Sequence, residues 1–138
     1  MDALHVKLAI GQGQFSKHIL QRTKELNLLP GQPKVMEYLE LHERCQQSDI
    51  CAAWDLDKST VSGIVDRMER DGLVQITRSC KDCRKKEILL TSKGKELWEK
   101  MKISIQDIEK NALNGISSED EKVFLSVLER IYQNLKEG

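Results

Sequence analysis

Residues 48–72 read SDICAAWDLDKSTVSGIVDRMERDG, and the order of apolar and polar groups in this stretch decides the fold. Residues 48–54 predict a short helix, Leu56-Asp57 a tight turn, and Asp57 an N-cap whose carboxylate accepts from the free amides of the next turn. A second helix then starts at Lys58. At about 100° per residue its apolar Val61, Ile64, Val65 and Met68 share one narrow arc, and Gly72 stands in the usual helix-closing position. The opposite arc holds Ser59, Gly63, Asp66 and Arg70, flanked by Thr60, Ser62 and Arg67. Such a pair of helices suits the major groove of DNA, which admits one helix, although an ordinary solvated amphipathic helix carries the same pattern.

Upstream, residues 2–25 carry a loose helical stripe of Leu4, Leu8, Phe15 and Ile19, weakened by Gly11 and Gly13. Pro30-Gly31-Gln32-Pro33 marks a break and a restart, after which Val35, Met36, Leu39 and His42 fit one face of a helix expected to stop near Arg44. Downstream, residues 73–77 and 87–90 have strand composition, and the charged residues 78–86 join them as an extended hairpin, or wing. Thr91 can cap a long fifth helix striped by Leu97, Trp98, Met101, Ile105, Ile108 and Ala112 and ending at Gly115. Ser118-x-x-Glu121 reads as a capping box opening a sixth helix striped by Val123, Phe124, Val127, Leu128, Ile131 and Leu135. These last stripes are longer than a small lobe needs for its own core, and they are expected to meet a second copy of the chain. The expected fold is therefore mainly α with a small β-wing. One domain of 138 residues comprises a winged helix-turn-helix lobe at about 31–91 and dimerisation helices at about 2–25 and 92–136.

The 22 Lys and Arg balance the 22 Asp and Glu, so distribution rather than net charge must indicate the partner. Arg78, Lys81, Arg84, Lys85 and Lys86 crowd the wing against Asp82 alone. An exposed loop of this kind gains little from folding but gains counterion release on DNA, a solubilising loop being the plainer reading. Asp82 can hold Arg84 extended through a charge-assisted hydrogen bond, oriented for a minor groove. No apolar run approaches the ~18 residues of a membrane span, and the first residues lack a signal-peptide pattern, so a cytoplasmic, membrane-free protein is expected. Gly-rich phosphate loops, HExxH and a Ser-centred nucleophile elbow are all absent, and the chain reads as a non-enzyme.

Several of these segments together resemble the MarR family, named for the multiple antibiotic resistance regulator. Residues 50–62 look like its helix-turn-helix and residues 64–74 like the end of its recognition helix. Asp82-Cys83-Arg84 is similar to its wing signature, and Leu90-Thr91-Ser92-Lys93-Gly94 to the start of the following dimerisation helix. The resemblance implies a triangular homodimer built on the first, fifth and sixth helices. It also implies double-stranded DNA as partner, a near-palindromic operator, and repression relieved by a small phenolic, a metal ion or an oxidant. The chain departs from the pattern at Gly63, where a larger and often basic side chain is common, at Ile76 and Cys83, where Arg is frequent, and at Leu29, which replaces a capping Thr.

The candidate DNA contacts are Lys58, Ser59, Thr60, Ser62, Arg67, Arg70, Arg78, Lys81, Arg84 and Lys85, with Asp82 orienting the wing; the candidate interface residues are Leu4, Leu8, Phe124, Val127, Leu128 and Ile131. Cys80-x-x-Cys83 is open to thiol redox chemistry or, with outside ligands, to zinc, as well as to a bystander role. Cys51 fits a core position, and Cys45, at the end of the second helix, is undecided. Trp98, Tyr38 and Met101 can either line an effector cavity or fill the core. A winged helix that has lost DNA and binds an acidic protein instead is the rival reading, favoured by Gly63, Ile76 and Cys83.

Overall fold

A computed structural model describes residues 1–78 and 85–138. Six helices and two strands follow in the order α1 (Leu4–Glu25), α2 (Gln32–Leu41), α3 (Gln47–Trp54), α4 (Lys58–Arg70), β1 (Val74–Arg78), β2 (Lys86–Leu90), α5 (Ser92–Ala112) and α6 (Ser118–Glu137). This is the mainly helical winged-helix architecture that the sequence predicts. The wing residues Cys80, Lys81, Asp82, Cys83 and Arg84 lie outside the described residues.

The chain divides into two compact units, Met1–Ile105 and Gln106–Gly138. In the first, the buried faces of α2, α3 and α4 meet the sheet and the start of α5 around Met36, Ile50, Val61, Val65, Met68, Ile88 and Met101. Ile76, where an arginine is frequent in the family pattern, is half-buried and packs against this core. The second unit holds the end of α5 and all of α6, in which no residue is buried.

Local chemistry sets the joints. Gly31, at φ 86°, precedes α2, and a Cβ there would lie 2.6 Å from Ile64 Cδ1, so the position favours glycine twice over. Leu29 offers no capping oxygen; the Gln32 side chain supplies one instead, its Oε1 accepting from Leu29 N–H at 3.0 Å. At the end of α4, Leu73 N–H donates to Met68 O and Gly72 N–H to Glu69 O, the paired bonds of a Schellman ending with Gly72 at φ 76°.

Three expectations shift. The second helix stops at Leu41, not near Arg44, and exposed His42 leaves the helix face and stacks on Tyr38 with ring centroids 4.3 Å apart. The reason lies three residues on, because Cys45 exchanges backbone hydrogen bonds with Ile88 and adds a one-residue third strand to the sheet. The hairpin is also longer than predicted, with Arg78 paired to Lys86, Ile76 to Ile88 and Val74 to Leu90. Finally, Ser117 rather than Ser118 caps α6, its Oγ accepting from Asp120 N–H at 3.1 Å.

Candidate nucleic-acid interface

α4 presents one apolar and one polar face. Val61, Val65 and Met68 are buried, whereas Lys58, Ser59, Thr60, Gly63, Asp66 and Arg70 are exposed. The N-terminus of α4 is closed by Asp57, whose Oδ1 accepts from Thr60 N–H at 2.7 Å and from the Ser59 hydroxyl at 2.8 Å. The Thr60 amide, followed by the hydroxyls of Ser59 and Thr60, holds the Asp57 carboxyl below the usual carboxylate range. α3 is fastened to this end of α4 by Gln47, which donates from Nε2 to the Lys58 carbonyl at 3.1 Å.

Beside the N-terminus of α4 lies an open cleft of about 580 Å³, lined by Gln46, Gln47, Ser48, Cys51, Lys58, Ser62 and Lys86. Its two ammonium groups come from the start of α4 and from the first residue of β2. Arg78 and Lys86 face each other across the β-ladder as exposed like charges, a pairing that is unfavourable until an anion joins it. Lys86, Gln47 and Ser48 were not among the sequence-derived contacts. Lys86 was legible as a wing cation, but its place at the cleft depends on the hairpin register.

The sequence candidates divide by position. Lys58, Ser59, Thr60 and Ser62 gather at the first turns of α4, Arg70 is exposed on its last turn, and Arg78 and Lys85 are exposed at the hairpin. Arg67 is held elsewhere: its Nε donates to the Asp71 carboxylate at 3.1 and 3.3 Å, in a cleft shared with Leu26, Leu28, Lys93 and Leu97. Of the proposed interface residues, Leu4, Phe124 and Val127 are exposed and Leu8, Leu128 and Ile131 half-buried.

Met101 is core, and Tyr38 packs partly buried against it. Trp98 edges a second cleft of about 440 Å³ together with Glu40, Arg44, Lys95 and Glu99. Its buried indole N–H lies near the Glu40 carboxylate without closing a hydrogen bond. That indole and the Lys102 ammonium, 3.2 Å from Oε1, keep the Glu40 carboxyl low against the opposing effect of burial. Cys51 is half-buried and Cys45 buried; among the described residues no group of three His, Cys, Asp or Glu side chains could hold a metal ion. No described helix is long and apolar enough to cross a membrane.

Residues 26–85, which span this lobe from the end of α1 to the base of β2, match the family model described as MarR family. The chain is similar to the MarR family over this lobe. The chain is 29% identical over 119 residues to the uncharacterized HTH-type transcriptional regulator YfiV of Bacillus subtilis, covering 81% of this chain and 72% of YfiV. Its fold is similar to that of MepR from S. aureus, solved as a DNA complex, with a TM-score of 0.89, 20% identity, and 97% and 99% of the two chains covered. It is likewise similar to BpsR of Bordetella bronchiseptica, whose DNA binding is regulated by 6-hydroxynicotinic acid. There the TM-score is 0.85, with 21% identity and 95% and 94% covered. The fold is thus shared with solved transcriptional regulators.

Proposed function

We propose that this chain is a MarR-family regulator that binds near-palindromic duplex DNA as a homodimer in the cytoplasm, represses the adjoining genes, and is released by a small effector, a metal ion or an oxidant. α4 of each copy would enter a major groove, with Lys58, Ser59, Thr60, Ser62 and Arg70 facing the duplex. The hairpin would approach the neighbouring backbone and minor groove through Arg78, Lys85 and Lys86, with Lys81 and Arg84 beyond them and Asp82 orienting the latter. Arg67 would act through Asp71 unless DNA draws it off. Leu4, Leu8, Phe124, Val127, Leu128 and Ile131 would lie in the dimer interface.

The observation that carries the reading is the polar face of α4 beside a cleft flanked by Lys58 and Lys86, with Arg78 held opposite Lys86 in an unfavourable like-charge pair. Phosphates between these groups would relieve the repulsion and release condensed counterions. Release by a small effector is supported by the relative BpsR, regulated by 6-hydroxynicotinic acid. An oxidant or zinc would act through Cys80 and Cys83.

Binding to random-sequence duplex DNA, measured against salt, tests the reading. Affinity should fall steeply with salt, and Arg78→Ala should lower the logarithmic slope by about one per subunit. Salt-insensitive or absent binding would favour the rival, an acidic protein as partner.

A further inference from the structure

Ser59 has a fixed polarity. A serine hydroxyl carries one proton and two acceptor lone pairs. In this chain the proton is committed, because Ser59 Oγ stands 2.8 Å from Asp57 Oδ1 and a carboxylate can only accept. The carboxylate is held in place by Thr60 N–H at 2.7 Å on the same oxygen. Ser59 is exposed at the N-terminus of α4 and therefore offers the solvent side lone pairs and no donor.

Phosphate oxygens are acceptors too, so Ser59 in this arrangement has nothing to give them, and the Asp57 carboxylate repels them. Backbone contact falls instead to the separate cationic cleft flanked by Lys58 and Lys86. Among base edges in the major groove, the donors are N6 of adenine and N4 of cytosine; N7 and O6 of guanine and O4 of thymine accept. Each base pair offers one amino group, on one strand.

We propose that Ser59, oriented by Asp57, is a specificity-determining residue that selects an amino base, adenine or cytosine, over a keto base, guanine or thymine, on the strand it faces. The inference rests on the DNA-binding reading above and adds to it the chemistry of one operator position per half-site. Asp57 acts here as a positioning residue, since it keeps the hydroxyl proton turned away from the DNA.

Selection from a random-sequence duplex pool tests this with the full-length wild type, Ser59→Ala, Asp57→Asn and Asp57→Ala, each first checked for native helix content. Wild-type sites should carry adenine or cytosine at one position per half-site. Reversing that pair, A·T to T·A or C·G to G·C, should weaken binding roughly five- to tenfold. Ser59→Ala should flatten this position and leave the others intact. Asp57→Asn keeps an acceptor for the hydroxyl and should retain the preference, whereas Asp57→Ala frees the proton and should relax the preference, because an unconstrained hydroxyl can donate to guanine or thymine as well as accept. The same preferences in Ser59→Ala as in wild type, or a Ser59-dependent position that favours a keto base, would overturn the inference alone. If the wild type enriches no duplex, the DNA-binding reading falls and takes the inference with it.

Discussion

Asp57 and Cys45 show how single positions tie chemistry to fold. The Asp57 carboxyl is held below its ordinary range, mainly by the Thr60 amide, so the stability it lends is complete above the unfolded carboxyl pKa and is lost as pH falls through the lower folded value. Asp57→Ala should therefore lower the denaturation midpoint at pH 7, and the gap to wild type should narrow as pH falls below the ordinary carboxylate range and through the lower folded value. A gap that persists in acid would mean that the residue acts other than as a charged cap. Cys45 runs the opposite way. Burial, then the charge of Asp49, pushes its thiol up to about 11 from an ordinary 9.0. Stability from the neutral thiol is full below pH 9 and is lost as pH rises towards 11. At pH 8 iodoacetamide should label half-buried Cys51 well before Cys45, and peptide mass spectrometry resolves the order. Equal labelling would mean that the Cys45–Ile88 bridge opens readily.

At the scale of elements, α4 carries a glycine that its packing does not require. No atom lies within 4 Å of the point a Cβ would occupy at Gly63, so Gly63→Ala should stabilise the protein by about 0.5–1 kcal/mol, read as a higher urea midpoint. Gly94 is the converse. A Cβ there would collide with the Leu73 carbonyl oxygen, and Gly94→Ala should cost about 1–3 kcal/mol. The joints that the sequence made legible are those where one side chain sets the geometry, as with Asp57, Gly72 and Thr91, whose Oγ1 accepts from Gly94 N–H at 3.1 Å. The strand at Cys45 was hidden because a single bridging residue has no periodicity and its partner, Ile88, is remote in sequence. The cap of α6 was misplaced because Ser117 and Ser118 are chemically alike, and local pattern cannot choose between them. The polarity of Ser59 was invisible for a related reason: composition tells that a hydroxyl is present but not where its proton points.

For the whole molecule, the apolar surface of α6 points to assembly. Val123, Phe124, Leu125 and Val127 are 49–61% exposed, more contiguous apolar surface than a helix normally leaves to water. Sedimentation should give a dimer at micromolar concentration, and Phe124→Lys with Val127→Lys should give a monomer with weakened DNA binding, because two half-sites can no longer be held at once. A wild-type monomer would remove the assembly argument.

The joint between α4 and α5 bears on how such proteins can be recombined. Thr91 Oγ1 donates to Gly72 O at 2.6 Å, Lys93 Nζ to Asp71 O at 2.9 Å and Thr91 N–H to Leu73 O at 3.1 Å, while Gly94 leaves room for the last of these carbonyls. Although Thr91 to Gly94 start the next helix by sequence, by chemistry they belong to the end of the reader. A chimera that transplants the reader into a relative should therefore cross over after Gly94. A crossover at Leu90 would leave three carbonyls facing a foreign set of donors, and the two fusions should differ in melting temperature although only four residues separate them.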